Sequence, residues 1–454
     1  MTNQTKKIEP RRLKGFRDYM PDMMEMRSQF QAVIRSHARL AGFREIGTPV
    51  LEYAETLLGQ GSDETDKQVY RFEDHGERKV AMRFDLTVPF ARFVAEHQGE
   101  LVFPFKRLQI GDVWRGENTQ KGRYREFCQC DLDIIGVDSA AADIEILASF
   151  YRILCGFDLG GFTMRLGNRV ILSAMLAKAF PGITARGESE ALIALDKLDK
   201  IGKDAVVGLL SKIESGTAAD DQKLGAQTLI DVLLATEEGG GTDRSAVKEL
   251  LAGHDAGLAE MRRMETILSA LDSLVSATPG GTVRLDLSIA RGLGYYTGVV
   301  FETTLDLLPG FGSISSGGRY NNLAERFTNR SLPGVGGSIG LDRLLAGLED
   351  LGKIKKQNPT PVFIAVATED ALISASTLAA QLRDNSIGCD IGLASGKLGH
   401  QFKHADRLGC RYVITLGTTE VETNTYNLKD MAQGSEQKSL PRHDIVRFLR
   451  GVLN

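Results

Sequence analysis

Residues 105–136 read FKRLQIGDVWRGENTQKGRYREFCQCDLDIIG. Two runs of β-forming residues flank the polar loop Gly116 to Gly122, the pattern of an antiparallel hairpin with a long tip. On the second run Gln129, Asp131 and Asp133 recur at a period of two and share one face, while Cys128, Cys130, Leu132 and Ile134 take the other. Such a strand suits a sheet with helices behind it and a polar ligand in front; a strand with one solvated face satisfies the same pattern. Arg115 and Arg123 flank the loop, and Phe127 follows on the return run. Guanidinium groups pair bidentately with phosphate oxygens, and an aromatic ring stacks on adenine, so these residues suit a nucleotide. A single surface arginine in an ion pair needs no ligand.

Outward from the hairpin, helical spacing from Met23 to Leu40 leads through Gly42 into an extended stretch from Arg44 to Glu52 around Pro49. Between about 165 and 280 the composition turns to Ala, Leu, Lys, Glu and Asp with helical periodicity, broken by Gly239, Gly240 and Gly241. This reads as a helical insertion in a β-rich domain. Strands resume at Val283 to Leu287, Val299 to Thr303 and Ser313 to Ser316, before a helix from Leu341. After the polar stretch Gly352 to Thr360, strands PVFIAVA, CDIGLAS and RYVITLG alternate with helical segments and predict a compact α/β domain with a largely parallel sheet.

With 454 residues, 42% hydrophobic and 25% charged, the chain holds two or three cored domains and is neither fibrous nor disordered. A formal net charge of -4 argues against wholesale coating by nucleic acid, yet leaves room for a local basic face. Five cysteines form no C-x-x-C pair, so neither a disulfide framework nor a structural metal is expected, and a reducing cytosol fits best. The polar N-terminal stretch and the lack of a run of about 20 apolar residues speak against secretion and membrane insertion. His400 and His404 share a helical face, but without a third ligand they predict no metal site.

The hairpin sequence resembles the second signature motif of the class II aminoacyl-tRNA synthetases, in the form carried by the histidyl family. REIGTPVLEYAETLL, with Pro49, resembles the first motif, a dimer-interface element, and GVGGSIGLDRLLAGL resembles the third. In the third, Arg343 falls in the first turn of a helix, where free N–H groups already favour anions. IARGLGYYTGVVFE and SSGGRYNNL resemble histidyl-family signatures, and RFDLTVPFARF supplies Asp85 and Thr87, which read alone are a helix cap. The resemblance implies an α/β (α+β) catalytic domain built on an antiparallel sheet at 1–165 and 281–351. It further implies a helical insertion at 166–280, a linker at 352–360 and a C-terminal α/β anticodon-binding domain at 361–454.

The same resemblance implies an aminoacyl-tRNA ligase that activates L-histidine with ATP and Mg2+ and transfers it to the 3′ end of tRNA(His), acting as a cytoplasmic homodimer. Arg115 and Arg291 would clamp the α-phosphate, with Glu117, Arg123, Phe127 and Arg343 completing the ATP site. Asp85, Thr87 and Gln129 would hold the substrate ammonium group. Asp133, Arg291, Tyr295, Tyr296 and Tyr320 would line the histidine pocket, with Asp133 and Tyr296 meeting the imidazole. Lys397, Lys403 and Arg407 lie on or beside one C-terminal helix and could meet RNA phosphates, as could Gln120 at the hairpin tip. Gly294 stands where the family usually carries aspartate or asparagine, and Asn321 replaces the usual aspartate after G-R-Y; both departures put the histidine affinity in doubt. The competing reading is a non-catalytic synthetase-like regulatory subunit of ATP phosphoribosyltransferase. Such paralogues typically lack the C-terminal domain and some of the arginines, both of which this sequence retains. A synthetase-like RNA-binding module without catalysis is a third.

Overall fold

The computed structural model describes residues 8–59, 66–238, 244–290, 296–354, 358–393, 397–433 and 437–453. They divide into two compact units, Met1–Ile354 and Lys355–Asn454.

In the first unit an eight-stranded sheet runs in the order Arg44–Glu45, Phe105–Trp114, Glu126–Ile135, Gly334–Gly340, Ser315–Tyr320, Val299–Leu305, Phe162–Asn168, Thr282–Leu285. Every interior pairing is antiparallel; only the two edge strands join in parallel. Extended backbone expected from Arg44 to Glu52 is split around Pro49, which has no N–H to give a ladder. Arg44–Glu45 joins the large sheet, and Leu51–Tyr53 joins a small sheet with Lys79–Met82 and Arg71–Glu73.

Cys128, Cys130, Leu132 and Ile134 enter the main core together with Ile146, Phe150 and Leu344 from the helices Ala140–Cys155 and Leu341–Asp350. Burying that face fixes the strand's register, because a slip of one residue would turn its carboxylates into the hydrocarbon. The helices between Arg169 and Ala277 do not form a unit of their own: Ile171, Met175, Met264 and Leu268 belong to the same core. Gly239, Gly240 and Gly241 lie outside the described residues.

The second unit has a sheet in the order Cys389–Ile391, Val362–Val366, Tyr412–Leu416, Thr425–Asp430, Gln437–Pro441. Its first three strands are parallel, as the strand–helix alternation requires, but the last two pair antiparallel, so the sheet is mixed where the sequence suggested a largely parallel one. Its core of Val362, Ile364, Leu378, Ile414 and Leu449 is separate from that of the first unit. No helix among the described residues is long and apolar enough to cross a membrane.

Candidate active site

The hairpin strands pair from Phe105↔Ile135 to Trp114↔Glu126, and the tip is tied back through Arg115 N–H to Arg125 O and Arg125 N–H to Gly15 O. This braced tip brings Arg115, Glu117, Arg123 and Phe127 to a cavity of about 420 Å³. Gln129 and Ser338 line its floor, Arg343 and Glu302 line its side, and Asp196 and Lys200 reach it from the helical region.

Arg115 lies between two rings, 4.4 Å from the Phe84 centroid and 5.1 Å from that of Phe127, and its Nε donates to Phe84 O at 3.0 Å. Arg343 donates to Ser313 O at 3.0 Å. Neither has a carboxylate partner among the described residues, so their charge is available to a ligand. Burial holds the Arg343 guanidinium below its ordinary pKa; the positive charges of Arg123 and Arg115 push the same way, and Glu117 opposes them. Arg123 is ion-paired with Glu117. Like charges gathered in a partly desolvated basin are unfavourable until an anion enters.

Beneath that basin, the sheet carries a wall of buried acids. Asp133 Oδ1 accepts from the Tyr320 hydroxyl at 2.5 Å, while its Oδ2 lies 3.1 Å from Arg107 Nη1. Arg107 is fully buried, packs 4.4 Å from the Phe90 ring centroid, donates to Leu86 O at 2.6 Å and stands 3.3 Å from Asp131. Asp85 Oδ1 accepts from the N–H groups of Thr87 at 3.1 Å and Val88 at 2.9 Å, so it caps the helix Thr87–Glu96 while bordering the wall. Burial raises its pKa; the Val88 N–H, Arg115 and Arg107 lower it. Burial likewise raises Asp133, against Arg107 and the Tyr320 hydroxyl. Gln129 donates to Ser338 Oγ at 3.0 Å, and its Oε1 has no hydrogen-bond partner among the described residues.

Six residues expected from the sequence thus share one cavity: Arg115, Glu117, Arg123, Phe127, Gln129 and Arg343. Asp85, Asp133 and Tyr320 join the adjoining wall, and Tyr296 packs beside Tyr320. Arg291, Tyr295 and Gly294 lie outside the described residues. Asn321 is held in place: its side-chain oxygen accepts from Arg319 at 3.2 Å and its amide donates to Asp138 at 3.3 Å. An ionised aspartate could make only the first of these bonds.

Sequence reasoning missed two residues. Arg107 looked like one more strand arginine, and only the pairing Arg107↔Asp133 sets it among the acids. Asp342 lines the cavity and receives Arg17 Nη2 at 2.7 Å, the Tyr19 hydroxyl at 2.5 Å, Arg27, and the Cys128 N–H at 2.7 Å. It anchors the helix carrying Arg343 to the N-terminal segment; its position in the first turn beside Arg343 was the available signal.

An antiparallel sheet that converges motif arginines from a hairpin and from a helix start onto one basin defines a class II aminoacyl-tRNA synthetase. A family model described as histidyl-tRNA synthetase matches residues 15–344, and one described as anticodon binding domain matches residues 361–451. The chain belongs to the histidyl-tRNA synthetase family. It is 43% identical over 441 residues to the histidine–tRNA ligase of Rhodopirellula baltica, covering 96% of this chain and 97% of that one. It is 39% identical over 449 residues to the histidine–tRNA ligase of Wolinella succinogenes, covering 98% and 99%. Among solved structures, the histidyl-tRNA synthetase of Nostoc sp. PCC 7120 superposes with a TM-score of 0.85 at 29% identity over 98% of this chain and 100% of that one. A Bacillus halodurans protein described as an ATP phosphoribosyltransferase regulatory subunit/histidyl-tRNA synthetase shares the fold at a TM-score of 0.71 and 23% identity, over 88% of this chain and 97% of that one.

Proposed function

We propose that this chain is a histidine–tRNA ligase, which activates L-histidine with ATP and transfers it to the 3′ end of tRNA(His). The observation that carries the reading is the convergence of Arg115, Arg123 and Arg343 on one cavity beside the wall that holds Gln129 and Asp133. The regulatory-subunit alternative has no comparable support, because the relatives that match at high identity over nearly the full length are ligases.

In the first step the histidine carboxylate attacks the α-phosphorus of ATP and pyrophosphate leaves. No protein nucleophile takes part, so catalysis rests on positioning and fixed charge. Arg115 and Arg291 hold the α-phosphate, Arg123 and Arg343 the outer phosphates, and Phe127 stacks on adenine. Asp85, Thr87 and Gln129 receive the ammonium group, and Asp133, Tyr295, Tyr296 and Tyr320 form the imidazole pocket. Glu117 and Glu302 line the same cavity as the arginines, a donor set that fits Mg2+, which binds through one or two carboxylates together with phosphate oxygens. When bound, Mg2+ neutralises charge on the leaving phosphates.

Transfer to tRNA follows, with Lys397, Lys403 and Arg407 of the second unit against RNA phosphates and Gln120 at the acceptor end. All three basic residues are exposed, which supports their part. Leu51, Tyr53 and Phe72 expose apolar surface on the small sheet, which supports a homodimer through that face, and the reducing environment suited to five free thiols supports a cytoplasmic location. Histidine-dependent exchange of pyrophosphate into ATP, measured together with charging of tRNA(His), tests the proposal. Both activities are expected; tRNA binding with no exchange would reject it.

A further inference from the structure

Three acids surround Arg107 in the wall beneath the nucleotide cavity, and two of them already have a task. Asp133 accepts from the Tyr320 hydroxyl and is ion-paired with Arg107, and Asp85 Oδ1 accepts from two helix N–H groups. Asp131 lies between Gln129 and Asp133 on the same strand face and is 1% exposed. Its Oδ2 stands 3.3 Å from Arg107 Nη1, while its Oδ1 has no hydrogen-bond partner among the described residues. The same is true of Gln129 Oε1, one step along that face.

Around Asp131 the charged and polar neighbours come from every adjoining element. Arg107 and Gln109 face it from the paired hairpin strand, Ser338 from the strand on the other side, Gln129 and Asp133 from its own strand, and Asp85 and Arg83 from the segment below. Gln109 donates to Thr48 at 2.9 Å, Arg83 donates to Thr48 O at 2.8 Å and to Asp112 O at 2.8 Å, and the Ser338 hydroxyl, which accepts from Gln129, neighbours Asp131 as a hydrogen-bonding group that favours its charged form. Among the described residues these two adjacent acceptors, with Gln109 Oε1 and Asp133 Oδ2 beside them, have no hydrogen-bond donor, an unfavourable arrangement that donors from a ligand would relieve. Asp131 lies directly behind the cavity, since Gln129 and Ser338, its neighbours along and across the sheet, both line it. An α-ammonium group brings three N–H donors and a positive charge, which matches this pair.

We infer that Asp131 binds substrate: with Gln129 it receives the α-ammonium group and makes the site specific for an amino acid over an imidazole compound lacking the amine. This rests on the amino-acid activation proposed above and adds an acceptor to it. Arg107 holds Asp131 from behind, leaving Oδ1 for the ligand. A carboxylate that served only as the counter-ion of Arg107 would have no reason to prefer one imidazole ligand over another.

The test compares wild type with Asp131→Asn, binding L-histidinol, which keeps both ammonium and imidazole, and 3-(imidazol-4-yl)propionate, which lacks the amine. Affinities are read as inhibition of histidine-dependent pyrophosphate exchange and, independently, by calorimetry. The variant is expected to bind histidinol about tenfold more weakly or worse, the scale of one charge-assisted hydrogen bond, and the deamino ligand as wild type does, with the KM for ATP unchanged. Equal losses for both ligands, or no loss for histidinol, would overturn the assignment. Should the asparagine variant fail to fold, Asp131→Ser is compared against the same two ligands, with its melting temperature confirming the fold. Wild-type protein without exchange and without histidinol binding would instead reject the ligase reading itself.

Discussion

Arg107 shows how much one buried side chain can organise. A fully desolvated guanidinium survives only when paired and hydrogen-bonded, and here it meets Asp131, Asp133, the Leu86 carbonyl and the Phe90 ring. Burial pushes the Asp131 carboxyl up to about 7, with Arg107 opposing and Asp133 adding to the rise. An unfolded aspartate titrates near ~3.9, so between that value and about 7 the folded chain holds more protons than the unfolded one. The stability from this group is therefore complete below about pH 4 and is lost as pH rises through 7. The thermal midpoint of the ligand-free wild type is expected to fall more steeply between about pH 5.5 and 7.5 than that of Asp131→Asn, as scanning calorimetry would record. Parallel profiles would show that Asp131 does not titrate in this window.

Among the elements, the strand Gly334–Gly340 matters for what its glycines omit. A Cβ at Gly336 would stand 2.0 Å from Asp133 Oδ1 and 2.7 Å from the Leu132 carbonyl, and one at Gly334 would stand 2.4 Å from the Tyr320 ring. Asp133 and Tyr320 occupy the space that side chains on this strand would take. Gly336→Ala should therefore displace the Asp133 carboxylate and raise the KM for histidine by about tenfold or more, while the KM for ATP moves little, because Arg115, Arg123 and Arg343 are not in its path. Steady-state exchange kinetics separate the two constants, and a shift in the ATP constant alone would contradict this account. The hairpin itself was legible in the sequence, because its period of two and its polar loop are local signals. By contrast, the strands Thr425–Asp430 and Gln437–Pro441 escaped it. TYNLKD alternates only over Tyr426 and Leu428 and QKSLP has a single apolar residue before its proline, Leu440, signals too short to announce strands, and their pairing with each other and with Tyr412–Leu416 is what makes them strands.

For the whole molecule, the two units have separate cores, so each can keep its shape without the other's side chains. A chain ending at Ile354 is expected to retain histidine-dependent pyrophosphate exchange, since every residue of the cavity precedes that point, and to charge tRNA(His) far less efficiently. Measuring both activities on the truncated chain checks this; equal losses would mean that the second unit is needed for the chemistry and not for RNA alone.

What the sequence by itself determined is most of the element plan and the hairpin with its acid-bearing face, and it pointed to the candidate residues Arg115, Arg123, Phe127, Gln129, Asp133, Tyr320 and Arg343. The hairpin residues lie in a segment whose spacing carries its own signal, whereas Tyr320 and Arg343 were named through the resemblance of SSGGRYNNL and GVGGSIGLDRLLAGL to histidyl-family motifs. Only the tertiary structure decided that Arg107 belongs among the acids, that one Asp131 oxygen has no hydrogen-bond partner among the described residues, and that Asp342 joins Arg17, Tyr19 and Arg27 to the helix of Arg343. Those facts depend on cross-strand register and on contacts between residues hundreds of positions apart, and no local pattern of residue types encodes which distant charge will neutralise which.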